Sequence, residues 1–369
     1  MYFCVMKIIK NIFKFIGIII LLFLIYVVVI ISYGMATDYQ PESIVQLESI
    51  KVSDDLVIED SILSFMIWNV GYGGLGAESN FFFDRGHFFT SGDRMVISPE
   101  ASVKKNIAGA VNFLKSNPSD FYLLQEVDRA SKRSYYIDEF DTFSKKLEDY
   151  NAVFSKNFDV AYVPIPVFEP WNCYGTALSG LGTFSKYKPL ESIRYDLPGK
   201  FHFPDYIFQL DRCAAVHRYD LASEKELIVI NIHNSAYDKG GALKKKQMAF
   251  LKDLVVKEYE KGNYVIAGGD WNQFPPDLPF DTFRKLDIKN QAHFNIPKDY
   301  LPENWRWVYD ETTPTSRSLK TKYIKGKTFI GLIDFFMVSP NIEVLEVKGQ
   351  NMNYEYSDHQ PVRMEVKLK

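Results

Sequence analysis

The chain has 369 residues, 47% of them hydrophobic and 15% aromatic, with a net charge of −3 from 43 basic and 46 acidic side chains. Its length allows a large buried core, and without an evident repeat or low-complexity segment one large domain is favoured over two. A net charge so close to zero argues against nucleic-acid binding, although a local basic patch is compatible with it. The cysteines form no CxxC pair, which excludes a thiolate metal site.

The N-terminus has the pattern of a membrane anchor. Residues 1–14 contain three lysines and no acid, residues 15–31 are uncharged and almost wholly apolar, and the next charge is Asp38. At about 1.5 Å per residue, a helix over residues 15–37 spans the roughly 30 Å core of a bilayer. A cleaved signal peptide is the alternative, but the run exceeds the roughly 7 to 15 residues of a usual signal core, which favours a retained anchor.

The charges around this run predict its orientation. Lysines precede it, whereas Asp38, Glu42 and Glu48 follow it. By the positive-inside rule we predict a single-pass protein of the cell membrane, with residues 1–14 in the cytoplasm, residues 38–60 as a linker and residues 61–369 as an extracytoplasmic domain. Cys173 and Cys213 would then face an oxidising space, and a disulfide between them is left open.

Apolar strands that end in a polar side chain recur along this domain. They end at Asn69, Glu126, His233 and Asp270, and Asn272 follows two residues after the last of these. The glycine pair before Asp270 allows the backbone to approach another group closely. Apolar residues at helical spacing predict helices near residues 103–114, 141–150 and 240–261, and further strands are predicted at 176–184, 192–197, 206–219, 329–340 and 362–368.

Two acids of this domain, Glu126 and Asp334, require a partner if they are buried. Glu126 follows a wholly apolar run, where a charge is tolerated only beside a group such as a metal ion. Asp334 lies within the hydrophobic strand at 329–340, and a histidine would satisfy it. The pair Asp358 and His359 precedes the last strand. Each residue also has an ordinary interpretation as a solvated strand end, a turn residue or a structural histidine.

Three segments each have a structural and a functional interpretation. The aromatic segment at 81–89 is either a buried plug or the wall of a substrate site. In the proline-rich loop at 162–174, Trp171 and Tyr174 either stack on a ligand or pack on the domain surface. Arg212, in the predicted strand at 206–219, either binds a phosphate through its two-pronged donor group or makes a structural ion pair.

The order of these motifs resembles the endonuclease/exonuclease/phosphatase superfamily, which includes pancreatic deoxyribonuclease, abasic-site endonucleases, inositol polyphosphate 5-phosphatases and neutral sphingomyelinases. The resemblance runs from about Ser61 to the C-terminus and is closest to the deoxyribonuclease-like and sphingomyelinase-like members, here in a membrane-anchored, bacterial-type form. It is carried by Trp68-Asn69, Gln125-Glu126-Val-Asp128, Asn231-Ile-His233, Gly269-Asp270-Trp-Asn272, Ile333-Asp334 and Ser357-Asp358-His359.

The resemblance implies an α/β (α+β) fold, a four-layer α/β/β/α sandwich of two mixed sheets, which cleaves phosphate esters with Mg²⁺ or, alternatively, Mn²⁺. It implies a metal site at Asn69, Glu126 and Asp358, all oxygen ligands that suit a hard cation. The catalytic residues that it implies are His233, Asp270, Asn272, Asp334 and His359, with Arg212 as a weaker phosphate ligand. Asp270 would activate the attacking water, and Asp334 would orient His359.

The resemblance is incomplete in the parts that select a substrate. The Trp-Cys-Asp-Arg signature of the 5-phosphatases is absent, because this chain has Leu332-Ile-Asp-Phe335 in its place. The acid partner of His233 is not evident either, and Glu169 is a guess.

We therefore predict a metal-dependent hydrolase of a phosphate mono- or diester, anchored in the lipid bilayer through residues 15–37, with no obligate protein partner evident. The anchor, the near-neutral charge and the aromatic loops favour a phospholipid head group or a phosphorylated small molecule as substrate. Two alternatives stay open: an extracytoplasmic nuclease, and a binding protein that has kept the fold and lost the chemistry.

Overall fold

The computed structural model describes residues 2–50, 57–236, 238, 240–279, 283 and 295–369. The first element is one continuous helix, α1 (Tyr2–Thr37), which includes both the basic segment and the predicted membrane span. It is long and apolar enough to cross a membrane, and none of the side chains in its most apolar stretch is buried. A core helix of a soluble protein would be mostly buried, so this helix is not part of the domain core.

The other helices and the strands follow the predicted order, with additions. The helices are α2 (Glu100–Ser116), α3 (Glu139–Lys146) and α4 (Ala242–Glu260). The strands are β1 (Ile44–Gln46), β2 (Ser49–Ile50), β3 (Val57–Ile58), β4 (Ile62–Asn69), β5 (Phe121–Asp128), β6 (Asn151–Val163), β7 (Gly175–Ser185), β8 (Glu191–Asp196), β9 (Cys213–Leu221), β10 (Glu226–His233), β11 (Tyr264–Asp270), β12 (Arg306–Val308), β13 (Ser316–Arg317), β14 (Ile330–Gly331), β15 (Asp334–Val338), β16 (Ile342–Gly349) and β17 (Val362–Leu368).

In the described part of the chain, these strands form two large mixed sheets and a short β13–β14 ribbon. The first sheet has the order β1-β8-β9-β10-β11-β15-β12, with β3 beside β9, and the second has the order β16-β17-β4-β5-β7-β6-β2. Each sheet has one central parallel pair, β10 with β11 and β4 with β5, and the other large-sheet pairs are antiparallel except β3 with β9. The predicted pair of mixed sheets is confirmed.

The sheets pack face to face and helices cover their outer faces. Phe65 and Ile67 of β4 pack against Val229 of β10 in the layer between the sheets. The alternate residues of β4, such as Trp68, pack against α2 and α3, whereas those of β10 pack against α4. Strands buried on both faces read as continuous apolar runs, which is why their sequence shows no alternation. The layers are helix, sheet, sheet and helix, as predicted.

The structure departs from the predicted elements in three places. Parts of residues 38–60, predicted as a linker, form the edge strands β1, β2 and β3, and residues 51–56 of it lie outside the described residues. The strand predicted at 206–219 begins only at Cys213, because a short 3-10 helix covers Asp205–Phe208. The strand predicted at 329–340 divides into β14 and β15, so that Asp334 opens a strand instead of lying inside one.

Candidate active site

The predicted site residues meet at one edge of the sandwich because of strand register. Asp270 is the last residue of β11, and it lies opposite His233 at the end of the parallel β10. On its other side it lies opposite Asp334, the first residue of the antiparallel β15. In the second sheet Asn69 ends β4 beside Gln125 of β5. The carboxyl ends of the two parallel pairs therefore face the same cleft.

Asp270 lies at the centre of the cluster and is 2% exposed. Its Oδ1 accepts a hydrogen bond of 2.8 Å from the backbone N–H of Asn272, and its Oδ2 accepts one of 3.1 Å from the amide of Asn69. Burial, together with the nearby Asp334, raises the pKa of Asp270 to about 6. A carboxylate with a pKa close to neutrality and fixed oxygens can accept a proton from a water molecule near pH 7.

Asp334 and His359 form a buried pair. The His359 Nδ1 lies 2.8 Å from Asp334 Oδ2, and the other ring nitrogen lies 3.8 Å from Asp270 Oδ2. Burial alone would lower the pKa of His359, but Asp334 and Asp358 outweigh it and raise that pKa well above its usual value. The ring is therefore an imidazolium whose Nε2–H faces the cleft beside Asp270.

His233 is in the opposite protonation state. Burial, reinforced by Arg212 and His359, lowers its pKa well below the usual value, so the ring is neutral at pH 7. Its Nε2 lies 3.4 Å from Asp270 Oδ2 and 3.9 Å from Glu126 Oε1, whereas its buried Nδ1 has no hydrogen-bond partner among the residues that the structure describes. The suggested partner Glu169 is wrong, since it accepts hydrogen bonds from Ser91, in the segment after residues 81–89, and from Asn172 in its own loop.

Glu126 is held in an unusual backbone conformation. It lies at a β-bulge of β5, where the pairing with β7 shifts register between Leu124 and Val127, and its φ is 55°. A bulge turns a side chain away from the direction that regular alternation would give it, and positive φ in a non-glycine residue is a costly conformation retained mainly at functional positions. The result is a largely buried carboxylate, 22% exposed, that lines the cleft.

The oxygen donors around Glu126 suit a divalent cation. Asp358 is buried, and its pKa is raised to about 7, mainly by burial and also by Glu126, against the opposing effect of His359. Such buried, mutually repelling carboxylates are what a bound cation stabilises. Asn69 bridges Glu126 and Asp270 through its amide nitrogen, while its oxygen accepts from the N–H of Gly71. Ligation by Asn69 would therefore require its amide to turn over.

A second arrangement of ligands is also geometrically compact. Among the described residues, Asp270, Asp334 and His359 form the one group of acids, histidines or cysteines whose potential ligand atoms all lie within 4.8 Å of one another. Two of the three are already hydrogen bonded to each other, however, and His359 carries a positive charge that opposes a cation. Glu126 and Asp358 are the more suitable ligands on electrostatic grounds.

These residues line a cavity of about 1020 Å³ that continues well beyond them. Glu126, His233, Asp270 and His359 are among the residues that line it. Aromatic and aliphatic residues form much of the remaining wall: Phe81, Phe82, Phe83, Ile165, Phe208 and Leu210. The segment at 81–89 therefore combines both predicted interpretations, because Phe81, Phe82 and Phe83 line the cavity and Phe82 is also fully buried.

Two groups of residues near the site have no predicted role, although some of their members belong to the motifs. Arg133 forms a two-pronged salt bridge with the buried Asp128, donates to the hydroxyl of Tyr174 at 2.5 Å, and lies 3.7 Å from the ring centre of Tyr72. This network holds two aromatic cavity walls. The only sequence signal for it is Asp128, which belongs to the Gln-Glu-Val-Asp motif.

The second group links the two sheets beneath the site. The amide of Gln125 donates to the Asn231 side-chain oxygen at 2.8 Å, and the Asn231 amide donates to the carbonyls of Leu124 and Gly182. Gln125 and Asn231 lie just before Glu126 and His233 in the chain. Their motifs therefore contain structural residues as well as site residues. A polar pair in the inter-sheet layer is tolerated because it is hydrogen bonded.

Other sequence expectations have mixed outcomes. Arg212 lines the cavity, but it lies in the loop before β9 instead of within the predicted strand. Of the two loop aromatics, Tyr174 lines the cavity, whereas Trp171 is 79% exposed. Cys173 and Cys213 are both free: the first contacts Tyr162, and the second lies on β9 against Ser155.

Comparison with known proteins agrees with this architecture. A structure described as endonuclease/exonuclease/phosphatase from Beutenbergia cavernae is 16% identical, covers 84% of this chain and 72% of its own, and has a TM-score of 0.54. A second from Bacteroides vulgatus is 14% identical, covers 84% and 100%, and has a TM-score of 0.52. ANGEL2, described as a 2',3'-cyclic phosphatase bound to adenosine-2',3'-vanadate, is 14% identical, covers 88% and 99%, and has a TM-score of 0.53.

These identities establish the fold alone, and no curated protein matches the chain in sequence. The profile of the Endonuclease/Exonuclease/phosphatase family, by contrast, matches residues 66–359, which include every predicted site residue. Because the match covers most of the chain and its limits enclose the edge of the sandwich described above, the chain belongs to the Endonuclease/Exonuclease/phosphatase family.

Proposed function

We propose that this protein is a membrane-anchored, metal-dependent phosphoesterase that hydrolyses a phosphate mono- or diester by in-line attack of an activated water. The observation that carries the proposal is the meeting of a proton-accepting carboxylate, Asp270, and an imidazolium, His359, in the wall of a large cavity. A base and a cationic donor separated by less than 4 Å can serve the attacking water and the developing phosphate charge together.

Each part of the proposed reaction is assigned to a different residue of the chain. Asp270, held by the N–H of Asn272, accepts the proton of the attacking water. His359, oriented by Asp334, donates its Nε2–H to a phosphate oxygen, and the neutral His233 donates or accepts a hydrogen bond on the other side of Asp270. Arg212 adds positive charge to the cavity wall.

The cation is proposed to bind at Glu126 and Asp358, with Asn69 beside them, and Mg²⁺ is the first choice over Mn²⁺ because all the donors are oxygens. When bound, it would polarise the phosphate and offset its negative charge. The buried position and raised pKa of Asp358 support this assignment, because such a carboxylate ionises readily beside a cation.

Anchoring is proposed through α1, with the N-terminus in the cytoplasm and the catalytic domain outside. The support is the length and exposure of the helix together with the lysines at its start. The apolar part of the cavity wall supports a substrate with a hydrophobic part, such as a phospholipid, while Arg212, Lys320 and Lys327 on the same wall suit the phosphate of any substrate class.

The test is Mg²⁺-dependent hydrolysis of a generic phosphodiester by the full chain in detergent. Glu126→Gln removes one formal charge from the proposed cation site without a change of shape, so we expect the Mg²⁺ concentration for half-maximal activity to rise about ten-fold or more. Glu343→Gln, on the exposed face of β16, is the matched control and should behave as the wild type. An unchanged Mg²⁺ titration for Glu126→Gln would remove this residue from the site.

The same assay separates the alternative functions. A nuclease would cleave DNA or RNA faster than any lipid, sugar or nucleotide phosphate in a substrate screen. A binding protein without chemistry would hydrolyse none of them at any Mg²⁺ or Mn²⁺ concentration.

A further inference from the structure

Glu139, the first residue of α3, is a buried acid to which the proposed chemistry assigns no role. Its Oε2 accepts a hydrogen bond of 3.2 Å from the backbone N–H of Asp128. Its Oε1 is buried as well and has no hydrogen-bond partner among the described residues. Because burial of a carboxyl group is costly, its position calls for a structural or functional reason.

The N–H of Asp128 needs this acceptor because β4 ends before it. The last residue of β4, Asn69, lies opposite Gln125, and β5 continues to Asp128 with no further residue of β4 paired to it. The next N–H, of Arg129, donates to the carbonyl of Leu178 on β7 at the other edge of β5. Successive N–H groups of a strand point to opposite edges, so that of Asp128 points to the edge that β4 has left. A carboxyl oxygen of α3 takes the place of a neighbouring strand there.

The same part of β5 contains the bulge at Glu126. Between Leu124 and Val127, two residues of β5 lie opposite one residue of β7, and Glu126 has the positive φ described above. Such a conformation is unfavourable in isolation and persists only where the surrounding contacts fix it. The hydrogen bond to Asp128, two residues after Glu126, is one of these contacts.

A second contact attaches α3 to the end of β5. Asp138, the N-cap residue of α3, accepts hydrogen bonds from Nε and Nη2 of Arg129 at 3.0 Å and 2.9 Å. Two consecutive pairs, Asp128 with Glu139 and Arg129 with Asp138, therefore hold the start of the helix against the strand just after its bulge. The side chain of Asp128 is fixed in turn by Arg133 at 2.7 Å.

Glu139 also contacts the loop that follows Asn69. A Cβ added to Gly73 in this loop would lie 3.2 Å from Glu139 Oε1 and 2.6 Å from Ile107 Cγ1, so the loop passes close over the carboxyl group. Glu139 therefore lies between the segment after Asn69 and the segment after Glu126, which are two of the residues of the proposed cation site.

We propose that Glu139 is a positioning residue for the cation site. As the acceptor for the Asp128 N–H, it holds the end of β5 in the bulged form that presents the Glu126 carboxylate to a divalent cation. The role of Glu126 as a cation ligand rests on the proposed function, whereas the support of the bulge does not.

The protonation state of Glu139 determines which substitutions test this role. Burial, with Asp128 beside it, raises the pKa of Glu139 well above its usual value, so the group is neutral at pH 7. Glutamine has the same shape and keeps an acceptor oxygen, and it should replace Glu139. Methionine has a similar length but no oxygen, and it should leave the Asp128 N–H without its acceptor.

The first test measures the hydrogen bond itself, by hydrogen exchange of the full chain in detergent with single-amide resolution. In the wild type we expect the Asp128 N–H to be protected like the paired amides of β5. Glu139→Met should speed its exchange about ten-fold or more, whereas Glu139→Gln should change it by about two-fold at most. An unprotected Asp128 N–H in the wild type, or equal exchange in the wild type and Glu139→Met, would overturn the support of the bulge.

The second test measures cation binding without turnover. Mn²⁺ alone is titrated into each folded protein, and the free ion is followed by its EPR signal. Glu139→Met, or Glu139→Leu if that variant does not fold, should bind Mn²⁺ about ten-fold or more weakly, while Glu139→Gln should stay within about three-fold of the wild type. Phe143→Leu, a buried site in the same helix, is the matched control. It should lower Tm through lost packing but change Mn²⁺ binding by about two-fold at most.

The outcomes separate this inference from the proposed function. Unchanged Mn²⁺ binding by Glu139→Met, equal weakening in Glu139→Gln, or equal weakening in Phe143→Leu would overturn the positioning role, while the binding of Mn²⁺ to the wild type would leave the proposed function intact. If the wild type binds no Mn²⁺, or if Glu126→Gln binds it as tightly as the wild type, the proposed cation site is wrong and so is the positioning role that rests on it. Hydrogen exchange then still decides whether Glu139 holds the bulge.

Discussion

Asp334 and His359 show how a single hydrogen bond decides the role of two residues. A buried aspartate that served only the fold would be satisfied by backbone donors. The Oδ2 of Asp334 instead lies 2.8 Å from His359 Nδ1. The backbone N–H of Asp334 donates separately to the hydroxyl of Thr315. The carboxylate fixes both the orientation and the charge of the ring.

We therefore predict that Asp334→Asn lowers kcat by several orders of magnitude with little change in Tm. Loss of an orienting carboxylate costs on the order of 10⁴ in a well-studied hydrolytic triad. The double variant with His359→Ala should be scarcely slower than His359→Ala alone, because that substitution already removes what Asp334 orients. Measurement of kcat and Tm for the two single variants and the double variant tests this, and additive losses would refute the pairing.

His217 is a buried histidine outside the site whose pKa is lowered, whereas that of His359 is raised. It lies on β9 between the sheets, with Nδ1 2.9 Å from Ser192 Oγ and Nε2 3.0 Å from Thr183 Oγ1, and burial lowers its pKa to about 3. The native state therefore excludes a proton that the unfolded chain binds below its ordinary pKa of 6.5. Its contribution to stability is complete above pH 6.5 and declines as the pH falls toward 3.

This effect should appear in urea unfolding. Between pH 6.5 and pH 3, His217 should reduce the free energy of unfolding of the wild type by up to about 1.4 kcal/mol per pH unit. His217→Gln should be less stable at pH 7.5 by about 1 to 2 kcal/mol, through weaker hydrogen bonds, and should lose this part of the acid dependence. Parallel pH profiles for the two proteins would contradict the assignment.

At the scale of the element, the strand β11 depends on Gly269. Its φ is 144°, and a Cβ added there would lie 2.1 Å from the backbone oxygen of Ile232 in β10. The close approach that the glycine pair predicts therefore exists, and it is to the neighbouring strand. That contact brings the ends of β10 and β11, and with them His233 and Asp270, side by side.

Gly269→Ala should accordingly destabilise the domain by about 3 kcal/mol or more, because the backbone of β10 cannot move aside without loss of the pairing. Gly92→Ala is the matched control: its φ is 63° and no atom lies within 4 Å of the added Cβ. This control should cost only about 1 to 2 kcal/mol, the strain of the left-handed conformation. Equal costs in urea unfolding would show that strain, not the contact with β10, limits this position.

For the whole molecule, the charge pattern around α1 predicts which side of the membrane holds the domain. A reporter fused after Lys369 should be digested by a protease added to intact cells, because the lysines all precede the apolar run. A reporter fused before Met1 is the control and should be protected. Protection of the C-terminal reporter would contradict the predicted orientation.

Much of the architecture followed from local pattern. Continuous apolar runs identified the buried strands β4, β5, β10 and β11, and helical spacing identified α2 and α4, since burial dictates which residues can occupy these elements. The long strands β6 and β16 were not predicted. β6 is largely buried and β16 is half-exposed, but both are mixed in composition, and their position is decided by pairing with a neighbour.

The sequence by itself determined which chemistry the site could hold: its motifs name the carboxylates, amides and histidines, most of them at or next to the ends of strands. Tertiary structure alone decided their states. The bulge at Glu126, the charge on His359 and the neutrality of His233 depend on neighbours distant in the chain, as does the register of Asp270 with Asp334. Residue type sets the available chemistry, whereas pKa, orientation and access depend on packing and distance, which no local pattern contains.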